Sequence, residues 1–208
     1  MGRLAADDLA AAACRGRSAL VPDCAMPRLH ILGASGSGTT TLGRTLWARH
    51  GWTHVDTDDV FWLPSDPPYV DIRPREERVA LMRSLLDARP SWIVSGSMCG
   101  WGDPFIPRFD LVVFLTVPTD ERLRRLTIRE AGRYGPGGIA PGGKMHDAFV
   151  EFMAWTAQYD DGDPTMRSRA LHEQWLAALP CPVLRLDGTR AVAEMAADVE
   201  AARRLSSP

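Results

Sequence analysis

The chain has 208 residues, 45% of them hydrophobic, enough to bury one substantial core, so one domain with a lid or insert is the first expectation. Its formal net charge of -2, from 24 Lys and Arg against 26 Asp and Glu, removes any composition-level case for binding nucleic acid or an anionic membrane. No apolar stretch approaches a membrane span, and Cys14, Cys24, Cys99 and Cys181 lack ligand-like spacing, so a reduced cytoplasmic protein, monomer or homodimer, is expected.

Residues 1–27 read as a separate flexible tail. Leu4 to Cys14 is Ala-rich and suits a short helix, but it lacks the basic start and long apolar core of a secretory signal. Gly16, Pro22 and Pro27 then punctuate it, and Met26, directly before the first strand, is an alternative start of the functional chain. The apolar run Leu29 to Leu32 meets glycines at 33, 36 and 38, then three threonines and a helical segment. Glycines permit the close approach that a phosphate-wrapping loop needs, and a helix start aims free N–H groups at an anion. The spacing matches G-x-x-x-x-G-K-[ST] except that Thr39 stands at the lysine position. The candidate phosphate-binding residues are Gly33, Ser35, Gly36, Ser37, Gly38, Thr39, Thr40 and Thr41, with Thr40 the hydroxyl for Mg²⁺; the competing reading is a plain glycine-rich turn.

The first helix is expected over residues 40–50, with Leu42 and Leu46 toward the sheet and Gly51 as its stop. A strand at 53–55 runs into Asp56-Thr57-Asp58-Asp59, and in a parallel sheet the carboxyl ends of strands line the ligand crevice. Asp56 and Asp58 there can hold Mg²⁺ through water or accept a proton from an attacking hydroxyl; a solvated acidic turn is the alternative. Phe61, Trp62 and Tyr69, among prolines, form either a wall of an acceptor pocket or a satellite core. A helix follows over 73–88 with Val79, Met82, Leu85 and Leu86 inward; Arg73 and Arg78 contact an anion or are surface charge. After the strand at 92–95, small residues let a substrate approach, Trp101 offers a flat face, and Asp103 meets substrate or marks a turn. The most apolar strand, 111–115, belongs at the sheet centre.

A helix over 121–133 carries Leu123 and Leu126 inward and Arg122, Arg124, Arg125, Arg129 and Arg133 outward. Guanidinium groups suit phosphate oxygens, although paired surface arginines are the plainer reading. The glycine-rich stretch 134–144 reads as a hinge or lid tip before a helix at 146–159. Lys144, the sole lysine, either supplies the charge missing at Thr39 or faces solvent. Asp160 to Asp163 reads as a solvated loop. Arg167 and Arg169 enter the site from the side opposite Arg125, and Arg190, after the last strand at 182–186, stacks on a nucleotide base.

Taken together, the loop, the Asp-x-Asp after the second strand, the arginine-rich lid helix and the late Asp-Gly-Thr resemble the P-loop small-molecule and nucleotide kinases, the fold group of adenylate kinase and shikimate kinase. GASGSGTTTLG, HVDTDDVFW, PPY and GWGDPF in that order look closest to a bacterial adenylate-kinase-like P-loop ATPase group. The resemblance implies an α/β, three-layer P-loop NTPase sandwich over 28–205, with a central parallel five-stranded sheet, an acceptor region at 56–90 and a helical lid at 130–165. It implies ATP and Mg²⁺ as cofactors, Thr40 and Asp56 at the metal, and a small-molecule or nucleotide acceptor. Asp56, Asp58, Arg125, Arg129 and Arg169 would carry the transfer. Two departures, Thr39 and the missing Asp-Gly-Phe-Pro-Arg of adenylate kinases, keep a weak or inactive nucleotide-binding regulator, or an ATPase, as the alternative.

Overall fold

The computed structural model describes residues 27–205, so the expected tail and the alternative start at Met26 lie outside the described residues. Strand β1 (Arg28–Gly33) is apolar on both faces because it is covered on both: Leu29 and Ile31 point to one helical layer, Leu32 to the other. Helix α1 (Thr39–His50) starts one residue earlier than expected and ends at Gly51, whose left-handed backbone turns its N–H back to the Trp47 carbonyl. Then come β2 (Thr53–Asp56), α2 (Thr57–Phe61), α3 (Arg75–Asp87), β3 (Trp92–Ser95), a 3-10 turn (Asp103–Arg108) and β4 (Leu111–Thr116). Helices α4 (Thr119–Tyr134), α5 (Pro136–Ile139) and α6 (His146–Ala157) precede α7 (Arg169–Ala177), β5 (Val183–Asp187) and α8 (Val192–Leu205).

The five strands are all parallel in the order β2-β3-β1-β4-β5. Strand order reverses beside β1, so the loop after β1 sits at the crevice where such sheets bind ligands. One layer packs Leu42 and Leu46 of α1 and Ala196 and Val199 of α8 against Ile31, Ile93 and Val113. The other packs Met82 and Leu86 of α3 and Leu176 of α7 against Val94, Val112 and Phe114. Each fully buried side chain of this size contributes roughly 1.5–3 kcal/mol. This is the expected three-layer sandwich, with α4 to α6 forming the helical lid. No described helix is long and apolar enough to cross a membrane.

Two local expectations are corrected. Leu85 is exposed, and α3 buries Met82 and Leu86 instead. Arg122, expected outward, is fully buried. Its Nη2 donates to Asp160 Oδ2 at 2.9 Å, its Nε to the Val117 carbonyl at 3.2 Å and its Nη1 to the Thr156 carbonyl at 3.3 Å. Asp160 therefore belongs to a buried clamp rather than to a solvated loop. It also accepts from the Thr119 hydroxyl and from Arg169, 2.6 Å away. Burial opposes ionisation of Asp160, but the hydrogen bonds from Thr119, Arg169 and Arg122 outweigh it and hold the carboxyl below its ordinary range.

Candidate phosphate site and adjoining cleft

The loop between β1 and α1 is shaped by steric demand at two glycines. Gly36 has φ 83°, and a Cβ there would meet the Arg122 carbonyl at 2.8 Å; one at Gly33 would meet the Leu115 carbonyl at 2.7 Å. Gly38 caps α1 without a side-chain hydrogen bond, and the first turn of α1 holds no acidic residue. The N–H groups and positive dipole end of this twelve-residue helix thus face the crevice, with no carboxylate of the helix itself in that turn.

A cleft of about 740 Å³ opens over this loop. The expected residues Ser35, Gly36, Ser37, Gly38, Thr39, Thr40 and Thr41 line it, while Gly33 lies just beneath at the end of β1. Thr40 Oγ1 donates to Asp56 Oδ2 at 2.7 Å, joining the start of α1 to the end of β2. A hydroxyl and a carboxylate so placed fit Mg²⁺, which keeps several waters and takes few protein oxygens. Among the described residues no group of three or more His, Cys, Asp and Glu is arranged to hold a metal, so the fit is to an ion that shares its ligands with phosphate.

Asp56 also caps α2, accepting from the Asp58 N–H at 3.1 Å, and that cap turns Asp58 into the cleft. Burial, then the neighbouring Asp56, raise the Asp58 carboxyl above its ordinary value; Arg167 and Arg129 pull the other way without cancelling the rise. A second cleft of about 500 Å³ continues from the first. Ser35, Asp58, Tyr69, Arg129, Arg133 and Arg167 line both.

Arg125, Arg129 and Arg190 line the first cleft as expected, but each also holds a carboxylate. Arg125 pairs with Glu121 at 2.7 Å, Arg129 with Glu130 at 2.7 Å, and Arg190 with Asp198 at 2.6 Å. Arg169 is corrected: its guanidinium is turned to Asp160, and it lines neither cleft. Of the two arginines opening α7, Arg167 takes that place. It donates to the Gly33 carbonyl at 3.3 Å and has no carboxylate within ion-pair distance among the described residues. Arg44 of α1 was missed by the sequence reading; it lies four residues after Thr40, one helical turn along the same face. Lys144 is exposed and lines neither cleft.

Other expectations resolve by packing. Trp62 and Tyr69 line the second cleft, whereas Phe61 packs on the core. Trp101 is buried beneath Arg78, whose guanidinium lies 4.4 Å from the Phe61 ring. Arg73 donates to the Val60 and Trp62 carbonyls, bracing the loop rather than meeting the crevice. That loop closes on itself: Trp62 and Ile72 form an antiparallel bridge, and Leu63 N–H donates to the Asp71 carbonyl at 2.8 Å. Asp103 accepts from the Trp175 indole at 3.3 Å. Ser97 and Tyr159 are both hydrogen-bonded to the fully buried His172, at 3.1 and 2.8 Å. Burial drives the Cys99 thiol up to about 11, so it is no thiolate near neutral pH.

Over 166 residues the chain is 46% identical to the uncharacterised protein YqaC of Bacillus subtilis, covering 80% of this chain and 91% of that one. The chain belongs to the YqaC family. No family model matches it. A cytidylate kinase of Thermococcus kodakarensis is 29% identical over 110 residues, and the match spans about half of each chain, 48% of this one and 55% of the kinase. Among solved structures, a gluconokinase of Sinorhizobium meliloti superposes with TM-score 0.51 at 17% identity, covering 88% of this chain and 94% of the kinase. A shikimate kinase of Bacteroides thetaiotaomicron gives TM-score 0.51 at 17% identity, covering 85% and 98%. At these identities the YqaC family member shares the fold of P-loop small-molecule kinases.

Proposed function

We propose that this chain is a Mg²⁺-ATP-dependent phosphotransferase acting on a small acceptor. The observation that carries the reading is the position of Asp58, one carboxylate lining both the cleft over the phosphate loop and the cleft that continues from it. The loop N–H groups and the α1 N-terminus hold the donor phosphates, and Thr40 with Asp56 holds Mg²⁺. When bound, Mg²⁺ neutralises phosphate charge. Asp58 takes the proton of an acceptor hydroxyl as its oxygen forms a bond to the γ-phosphorus and the bond from that phosphorus to the β-γ bridging oxygen breaks.

Thr39 leaves the loop without its usual ammonium group, and Arg167 is the best-placed replacement. It touches the first loop residue and reaches both clefts, and its charge is not committed to a carboxylate. Arg125 and Arg129 supply further charge from the lid. The same Thr39 supports a second reading, a nucleotide-binding regulator that retains the fold with little turnover.

The deciding experiment pairs ATP calorimetry, with and without Mg²⁺, with label transfer from γ-labelled ATP to a panel of nucleosides, nucleotides and sugars. Transfer that disappears in Asp58→Ala supports the phosphotransferase. Mg²⁺-dependent ATP binding with no transfer to any acceptor supports the regulator.

A further inference from the structure

The second cleft is built differently from the first. Trp62, Tyr69, Tyr134, Phe149, Phe152 and Trp155 surround it, drawn from the loop after α2, the end of α4 and one face of α6. Phe149, Phe152 and Trp155 advance by three residues along α6, so they form one continuous face. A wall of rings suits a planar ring, whose faces stack and whose edges meet ring faces; a polyol needs a dense array of hydrogen-bond partners instead.

Charge separates the two clefts as well. Six arginines line the first, Arg44, Arg125, Arg129, Arg133, Arg167 and Arg190, against three aspartates, Asp56, Asp58 and Asp59, a positive excess suited to a polyphosphate. In the second, Arg129, Arg133 and Arg167 are balanced by Asp58, Glu130 and Glu151. Two of those arginines are already engaged. Glu130, buried, takes Arg129 at 2.7 Å and Arg133 at 3.4 Å, and Arg133 also lies 5.0 Å from the centre of the Tyr69 ring. Of these three, only Arg167 has no carboxylate within ion-pair distance among the described residues, and it stands at the loop end, beside Gly33. An acceptor bringing its own phosphate or carboxylate into the ring-lined part would have to break the Glu130 pairs or lie unpaired near Glu151, either at a cost in desolvation.

We infer that the acceptor is an uncharged compound with a planar aromatic or heteroaromatic ring, presenting a hydroxyl toward Asp58, rather than a nucleotide, a sugar acid or a polyol. This rests on the phosphotransferase reading above. The ring lies among Phe152, Trp155 and Tyr69, and the hydroxyl reaches the junction where Ser35, Asp58 and Arg167 meet. The chemical class includes nucleosides and hydroxymethyl-substituted pyrimidines or pyridines.

The test uses the full chain with three acceptor sets: uncharged nucleosides and hydroxymethylpyrimidines; nucleoside monophosphates; and gluconate, shikimate and glycerol. Transfer from γ-labelled ATP is measured beside tryptophan fluorescence, with Trp155→Phe assigning the signal. The expected result is transfer to at least one uncharged ring alcohol, saturable quenching that Trp155→Phe reduces and Trp62→Phe with Trp155→Phe removes, and a KM for that alcohol raised about tenfold or more in Trp155→Ala, with the KM for ATP unchanged. Trp155 is 39% exposed, so its variants should fold. Transfer confined to the monophosphates, sugar acids or glycerol overturns the inference and leaves the phosphotransferase standing. Saturable quenching by ring alcohols with no transfer to any acceptor supports the ring site and overturns the phosphotransferase. Absence of both quenching and transfer with the ring compounds overturns the inference.

Discussion

Arg122 Nη2 lies 2.9 Å from Asp160 Oδ2, tying a fully buried guanidinium in the first turn of the lid helix to the segment that leads out of the lid. The same arginine presents its backbone carbonyl to Gly36 in the phosphate loop. One residue thus touches both the segment that follows α6 and the glycine loop after β1.

Arg122 is buried and Asp160 partly so, and removing the carboxylate charge leaves the guanidinium with neutral acceptors only, so Asp160→Asn should lower stability at pH 7 by about 1–3 kcal/mol. Because the folded carboxyl is depressed below its ordinary 3.8, its contribution is complete above that pH and is lost as pH falls through the lower folded value. Urea unfolding of both proteins at pH 7 and below pH 3.8 should show the gap narrowing in acid; a constant gap would mean the pair contributes through packing alone.

Acid should weaken the fold well before the carboxylates protonate. Burial lowers His30 from 6.5 to about 4 and His172 to about 3, so both are neutral in the folded protein at neutral pH. A depressed histidine contributes fully above its unfolded pKa and loses that contribution as pH falls from 6.5 toward the folded value. Between pH 7 and 4.5 each should cost roughly 2–3 kcal/mol. His30→Phe, which keeps the ring stacked on Phe109 at 5.1 Å, should flatten the slope of stability against pH in thermal melts.

Charge at the transfer site can be moved between residues. Arg167→Ala should lower turnover about 10²–10³-fold, comparable with loss of one preorganised donor to a transition state, with little change in melting temperature. Arg169→Ala, whose partner is Asp160, should do the reverse. Adding Thr39→Lys to Arg167→Ala should recover part of the loss; steady-state kinetics of the four proteins would refute the assignment if the double variant were no faster than Arg167→Ala.

The base assignment has its own signature in pH. Wild-type kcat/KM should rise with pH as Asp58 loses its proton and then level. Asp58→Asn should fall about 10²–10⁴-fold and lose that limb. A pH profile unchanged in shape would move the base elsewhere.

Gly36→Ala should abolish ATP binding by calorimetry, because position 36 has a left-handed backbone that a Cβ disfavours, and the new Cβ meets the Arg122 carbonyl at 2.8 Å. Strain of this kind costs about 1–3 kcal/mol, so the fold should survive a weakened melt.

The sheet, its helices and the glycine loop between β1 and α1 were legible because each rests on local pattern: apolar runs at 29–32 and 111–115, glycines at fixed spacing, Leu42 and Leu46 one turn apart. Arg122 was misread because a helical arginine is ordinarily outside, and its burial depends on Asp160, 38 residues away. Arg167 and Arg169 are adjacent in composition and differ only in which side of the Ser168 cap they leave, which sequence does not display. The aromatic wall was half visible: Trp62 and Tyr69 stood out among prolines, but Phe149, Phe152 and Trp155 join them only because α6 lies across the cleft, a placement that sequence does not display.

The bridge between Trp62 and Ile72 has a corollary for segment exchange. The chain leaves and re-enters the domain at one point, with Arg73 N–H returning to the Phe61 carbonyl at 2.9 Å, so the intervening segment can lengthen, shorten or change composition at a small entropic cost and without disturbing the strands. Exchange of this segment alone would therefore replace one wall of the second cleft while leaving the glycine loop after β1 and the strands as they are.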